Sequence, residues 1–247
     1  MADPRDCPAL RADAATSVVE VIDRLTEIRD CTAKVAPECG IAEFSDLYLT
    51  ITQGIWDRIE KGDFFADNGY LARLDVRFAN RYFDALRAWA GGQRTPRSWQ
   101  VLFGAPNDGE IMAIQLAGAG VNAHVNFDLA VATVDTGREM GDAELDIGTR
   151  REDYAKVNDV FAERMDALLR NVLEARAVTG QDPESERLSA VGRLMTRIVA
   201  AARQFAWEDA EYLWPLPRRS DAWDAKEAHM DAVAYLVGRG LLIDLPG

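Results

Sequence analysis

The chain has 247 residues, 48% of them hydrophobic and 28% charged, with a formal net charge of −13. That length and apolar content suffice for one large domain with a real core, and no run approaches the roughly 18 apolar residues that would span a bilayer. The acidic balance, with only short basic clusters such as Pro217-Arg218-Arg219, excludes a nucleic-acid binder and a protein held on anionic lipid.

The opening residues, MADPRDCPALRADAA, carry acids and no apolar stretch, so they do not read as a secretory leader. A cytoplasmic protein with a flexible lead-in over residues 1–14 is expected, followed by a single helical domain over 15–247. The three cysteines, Cys7, Cys31 and Cys39, are odd in number and show no zinc spacing. In a reducing compartment they predict no disulfide framework and read as small hydrophobes.

Helical periodicity then dominates. Residues 14–29 place Val18, Val21, Ile22, Leu25 and Ile28 at three-and-four spacing. Pro37 and Gly40 break the pattern. It resumes over 43–60, where Leu47, Ile51, Ile55 and Ile59 form a stripe with Tyr48 and Trp56 beside it. Residues 70–90 align Phe78, Tyr82, Leu86 and Trp89, and Gly91-Gly92 ends that helix. A short helix is expected near Trp99, a turn at Ala105-Pro106-Asn107-Asp108-Gly109, and a long apolar helix around 111–133. A polar loop is expected over 135–150. Residues 153–176 carry an amphipathic stripe from Val157 through Phe161, Met165, Leu168 and Leu169 to Val172. The loop Thr179–Pro183 leads to a helix over 184–213, broken by Pro215 and Pro217, and a last helix covers 222–238. No stretch alternates with period two over six residues. The fold class is all-α: a single-domain, multi-helix bundle with a buried central helix.

That central stretch, AGAGVNAHVNFDLAVA, admits three readings. Gly118-Ala119-Gly120-Val121-Asn122-Ala123 fits the dinucleotide-loop pattern G-x-G-x-x-A, with Asp135 and Glu139 downstream where a ribose-binding acid would stand. The pattern has meaning only inside a strand–helix–strand unit, and the flanks read as helices. The glycines are then places where helices approach closely or kink. On a helix wheel His124 and Asp128 are neighbours on one face, and Asn122 and Asn126 form a second pair about 160° away. Apolar residues fill the other directions, as in a buried helix. Unpaired, each buried polar group would cost about 1–3 kcal/mol. Partners are expected from Asp75, Asn80, Tyr82 and Asp84 on the third helix, from Asn158, and from Arg203 and Glu208.

The stretches FSDLYLTIT, RLDVRFANRYFDALRAW, PRSWQVLF and GVNAHVNFDLAVA together resemble a bacterial, mostly actinobacterial family of unknown function, DUF5995. The resemblance covers residues 15–240, and its most specific part is NAH-N-DLA. It implies a single α-helical domain and no assigned activity. It directs attention to Asn80, Asn122, His124, Asn126 and Asp128.

Histidine beside a carboxylate is a common acid–base unit, because its ordinary pKa lies near neutrality. The leading expectation is therefore a small-molecule enzyme, fitted to specialised metabolism, with its pocket inside the bundle. His124 is its general acid/base, Asp128 or Asp75 orients it, and Asn80, Asn122, Asn126, Tyr82 and Arg203 hold substrate. Hydrolysis, elimination, isomerisation and cyclisation all fit, and no cofactor motif is present. A non-catalytic ligand-binding or interaction protein with an architectural polar core is the first alternative. A metal-dependent hydrolase or oxygenase using His124 with Asp75 or Asp84 is the second, although no metal site is predicted. His229 reads as a surface histidine. Trp214 and Trp223, beside the prolines, read as exposed aromatics that form either a dimer patch or a lid, and a homodimer is among the expected partners.

Overall fold

The computed structural model describes residues 3–37, 39–105, 111–175 and 183–242, with backbone alone for 169–175, 183–189 and 191. The expected turn over 106–109, most of the loop 179–183, and the side chains of Leu169 and Val172 lie outside the described residues. The regular structure of the described residues is all helical, without a strand: α1 (Val18–Val35), α2 (Gly40–Lys61), α3 (Asn68–Ala90), α4 (Arg97–Phe103), α5 (Ala113–Ala123), α6 (Leu129–Met140), α7 (Arg150–Ala175), α8 (Pro183–Leu213) and α9 (Asp221–Leu241). The protein is an all-α single-domain bundle.

The helix ends follow from local chemistry. Ser17 caps α1 by accepting from the Glu20 N–H, and Glu20 returns a bond from the Thr16 N–H at 2.7 Å. Asp67 caps α3 through the Tyr70 N–H at 2.8 Å. Gly62 and Gly141 close α2 and α6 in the left-handed region, with φ of 76° and 74°. The cap of α4 comes from a distance: Asp231 of α9 accepts from the Arg97 and Ser98 N–H groups at 3.0 and 2.9 Å. That bond clamps the last long helix to the shortest one.

The centre of the bundle is a rod made of α5, a π turn over His124–Asp128, and α6. It is packed by α2, α3, α4, α8 and α9. Nearly every side chain from Leu116 to Val134 is buried. The rod runs on to Met140, so the polar loop begins after Gly141 and not at 135; Thr136 and Gly137 are buried. Gly118 and Gly120 sit inside helix α5, which removes the dinucleotide-loop reading. At Gly120 an added Cβ would overlap the Phe44 ring of α2. That glycine sets the spacing between rod and α2.

Two expectations are corrected at the N-terminus. Cys7 and Cys31 form a disulfide, with Cα atoms 5.8 Å apart, while Cys39 is a buried free thiol. An odd count leaves room for one bridge and one spare, and the spacing along the chain does not reveal which pair meets. Nor is the lead-in loose. Two 3-10 turns, Pro4–Asp6 and Pro8–Arg11, bury Cys7 and Leu10 against the core. Arg11 donates to the Ala90 carbonyl and Arg87 to the Ala12 carbonyl, each at 3.0 Å.

The aromatic pair near the prolines is not a surface patch either. Trp223 is fully buried and Trp214 half-buried. The Arg138 guanidinium lies between them, 5.8 Å from the Trp214 ring and 5.2 Å from that of Trp223. Among the described residues no helix is long and apolar enough to cross a membrane.

Candidate functional site

The π turn puts His124 where α2, α3 and the rod meet. Its Leu129 N–H reaches back five residues to the His124 carbonyl, which widens the helix at that point. Such one-turn insertions concentrate at functional sites. The ring of His124 is packed face to face on Phe78, with centroids 3.4 Å apart and planes 4° from parallel. Tyr48 stands edge-on to it at 4.7 Å. Phe44 and Trp99 close the remaining sides.

Its two nitrogens have different fates. Nδ1 lies 3.2 Å from Asp128 Oδ2. Asp128 also accepts from Trp99 Nε1 at 3.0 Å and from Arg81 Nε at 2.8 Å. A carboxylate held by three donors can only accept, so the imidazole proton sits on Nδ1. Nε2 is left as a lone pair, buried and without a hydrogen-bond partner among the described residues. Burial lowers the pKa of His124, against the opposing pull of Asp128, so the ring is neutral at pH 7. For Arg81 burial works against the charge, but Asp128 and Glu227 outweigh it and raise its pKa.

Nε2 faces a cavity. Its walls come from α2 (Tyr48, Ile51), α3 (Leu71, Asp75, Phe78), the rod (His124), α7 (Phe161) and α8 (Arg203), with further aliphatic side chains between them. The space totals about 750 Å3 with its open end included, of which about 80 Å3 admits the centre of a water molecule. It is therefore a small slot with a mostly apolar lining.

Asp75 is the second polar group in that wall. It is 6% exposed, and its Oδ2 has no partner among the described residues. Burial alone raises its pKa to about 7. The Tyr48 hydroxyl, beside Thr52, likewise lacks a well-formed hydrogen bond. Burial, reinforced by Asp75 and Asp128, pushes that phenol well above its ordinary pKa. Leaving such groups unsatisfied costs about 1–3 kcal/mol each, so each calls for a ligand, an ordered water or a chemical role to account for it.

The expected site residues thus divide. His124, Asp75 and Arg203 share the cavity wall, and Asp128 orients His124 from behind. The others are used up elsewhere. Asn122 Nδ2 donates to the Ala234 carbonyl of α9 at 2.6 Å, and its Oδ1 accepts from Asn126 Nδ2 at 2.9 Å. Asn80 bonds both ways with the backbone of Ala15, at 2.7 and 2.9 Å. The Tyr82 hydroxyl pairs with Ser45 at 2.9 Å. Asp84 is exposed beside Arg87, Glu208 pairs with Gln204 on the surface, and His229 is exposed on α9. Among the described residues no three His, Cys, Asp or Glu side chains converge as metal ligands.

Sequence reasoning passed over Arg81, Trp99 and Phe78 as site residues, and it used Tyr48 only as a core residue. One signal pointed to Arg81: a carboxylate on a buried helix needs a cation, and Arg81 lies beside the Asn80 that drew attention.

Fold and site define a helical protein built around an internal, mostly apolar slot with acid–base groups in its wall. The chain belongs to the family described as a family of unknown function (DUF5995), whose model matches residues 18–243. No curated protein and no solved structure matches it.

Proposed function

We propose that this protein is an acid–base enzyme acting on a slender, apolar small molecule that bears a carbonyl or hydroxyl group. One observation carries the reading: His124 Nε2 and Asp75 Oδ2 are both buried and without a hydrogen-bond partner among the described residues, and both residues line the same slot. A neutral imidazole is a base, and a carboxyl group titrating at about 7 is an acid in the lower part of the neutral range. In an isomerisation, Nε2 takes a proton from the carbon beside a carbonyl while Asp75 gives its proton to the carbonyl oxygen. The C–H electron pair becomes the enol double bond. The imidazolium, steadied by Asp128, then returns a proton to that same carbon, or, where a β,γ C=C makes the enol a dienol, to the γ carbon as the double bond shifts, and the enol O–H returns its proton to Asp75. Apolar walls exclude water from the enol.

A carrier that binds such a molecule without converting it is the second reading, favoured by how apolar the slot's lining is. The Cys7–Cys31 bond argues for an oxidising setting, so the cytoplasmic expectation is not carried forward. A homodimer would find its apolar surface at Ile198 and Phe205 of α8 and Leu236 of α9, all well exposed, and light scattering decides it.

The test is deuterium exchange. Wild-type protein in D2O, given a graded series of straight-chain keto acids and benzoylpropionate, is expected to label the carbon beside the ketone. Exchange rises as His124 loses its proton, below its ordinary 6.5 because burial lowers it, and falls as Asp75 loses its own at about 7. The optimum is mildly acidic. A folded His124→Ala protein that exchanges as fast as wild type overturns the proposal. Binding without exchange moves the choice to the carrier.

A further inference from the structure

Arg203 is a buried cation, 7% exposed, whose countercharge is missing from its surroundings. Its guanidinium lies over the Tyr154 ring at 4.3 Å. Nε donates to Asn158 Oδ1 at 2.9 Å and Nη2 to the Tyr154 carbonyl at 2.6 Å. The Tyr154 hydroxyl answers by donating to the Arg203 carbonyl at 2.7 Å. These contacts lock the fork in place between α7 and α8, and every one of them is with a neutral group. Among the described residues no carboxylate lies within ion-pair distance of Arg203, and Nη1 has no acceptor. Asp75, in the same cavity wall, makes no ion pair with it.

Arginine does not shed its proton inside a protein. Buried charges are ordinarily paired, because removing them from water without a partner is costly. Here the residue that carries the unpaired charge is one of those lining the slot with His124 and Asp75. We infer that the ligand brings the countercharge: the slot takes a slender apolar acid whose carboxylate docks on Arg203 while its carbonyl or hydroxyl end meets His124 and Asp75. One free guanidinium edge matches a planar carboxylate; a phosphate, with more charge and more acceptors, would need donors this apolar wall does not offer. The reactive end of this assignment rests on the proposed acid–base function. The anionic end rests on Arg203 alone.

The experiment compares each keto acid of the exchange series, and benzoylpropionate, with its methyl ester, by calorimetric titration of the full chain. The expected result is that at least one acid binds roughly tenfold or more tighter than its ester, the worth of one good charge-assisted contact. Arg203→Gln, checked for folding by circular dichroism, is expected to erase that preference by weakening the acid and not the ester. Arg203→Lys, which keeps the charge, is expected to retain part of it. Inorganic phosphate is expected not to compete. The inference is overturned if no acid binds wild type, if acid and ester bind alike, if Arg203→Gln keeps the preference, or if phosphate competes as well as the acid. Should Arg203→Gln fail to fold, the wild-type comparison and Arg203→Lys still decide. His124→Ala separates the two claims. An acid preference without deuterium exchange removes the enzyme reading and leaves this one standing; exchange without acid preference does the reverse.

Discussion

Two polar pairs sit on one rod, four residues apart in each case, and they meet opposite fates. Asn122 and Asn126 spend their hydrogen bonds on each other and on the α9 backbone. His124 and Asp128 spend one bond on each other, and Asp128 is saturated by Arg81 and Trp99, yet His124 keeps a buried nitrogen with no hydrogen-bond partner among the described residues. Residue type does not separate the pairs, since all four are polar groups in an apolar helix. Satisfaction does. A buried polar group whose bonds are complete ties helices together; one that is held rigidly and left open is, on the function proposed above, the place a ligand fills.

Substitution breaks or sharpens this contrast, and the largest loss of stability falls on the residue that joins both roles. Asp128→Ala removes the acceptor shared by Arg81, Trp99 and His124. Stranding a buried cation costs about 3–5 kcal/mol; Arg81 keeps Glu227 at 3.1 Å and is partly exposed, so the loss belongs at the lower end. Urea denaturation measures it, and a loss under about 1 kcal/mol would mean that the network is not structural. Next comes an effect of opposite sign. Asp75→Asn is expected to stabilise the protein at pH 8. The folded-state pKa of about 7 stands above the unfolded value of about 3.9, so the folded chain holds a proton that the unfolded chain releases. Stability from this group is full below the unfolded value and is lost as pH rises through about 7. The gain for Asn is at most about 4 kcal/mol at alkaline pH and vanishes near pH 4. An Asn variant that is less stable than wild type at pH 8 would show that Asp75 has a partner after all.

The α-helical fold, the central rod and the face that carries His124 were legible in the sequence, because period and burial leave a pattern along the chain. What stayed hidden was pairing across the chain. Nothing near Cys7 says that it meets Cys31 and not Cys39. Nothing near Asn80 says that a backbone amide 65 residues away will occupy it. The π turn was equally invisible, since a wheel drawn at about 100° per residue assumes the regular helix that the insertion interrupts. Asn122 and Tyr82 looked like ligand-binding groups for the same reason: their partners, Ala234 and Ser45, come from other helices.

The smallest effects are on the satisfied side, and they test the contrast most closely. Asn122→Ala removes the side-chain donor from the Ala234 carbonyl, which keeps its helical bond within α9, and leaves Asn126 Nδ2 without its acceptor, at about 1–2 kcal/mol. Asn126→Ala is milder. Asn126 is half-buried and gives one bond, to Asn122 Oδ1; without it that oxygen loses one donor, while the bond from Asn122 to α9 remains. The expected loss is about 1 kcal/mol or less. Neither change is expected to alter ligand binding or deuterium exchange. Nitrogen NMR of the imidazoles reads this directly, because the chain has only two histidines and the exposed His229 serves as an internal reference. In Asn126→Ala the His124 signals should stay those of a neutral ring protonated on Nδ1. If they move while His229 does not, the π turn couples the two faces, and the asparagine pair is part of the site's positioning apparatus as well as a tie between helices.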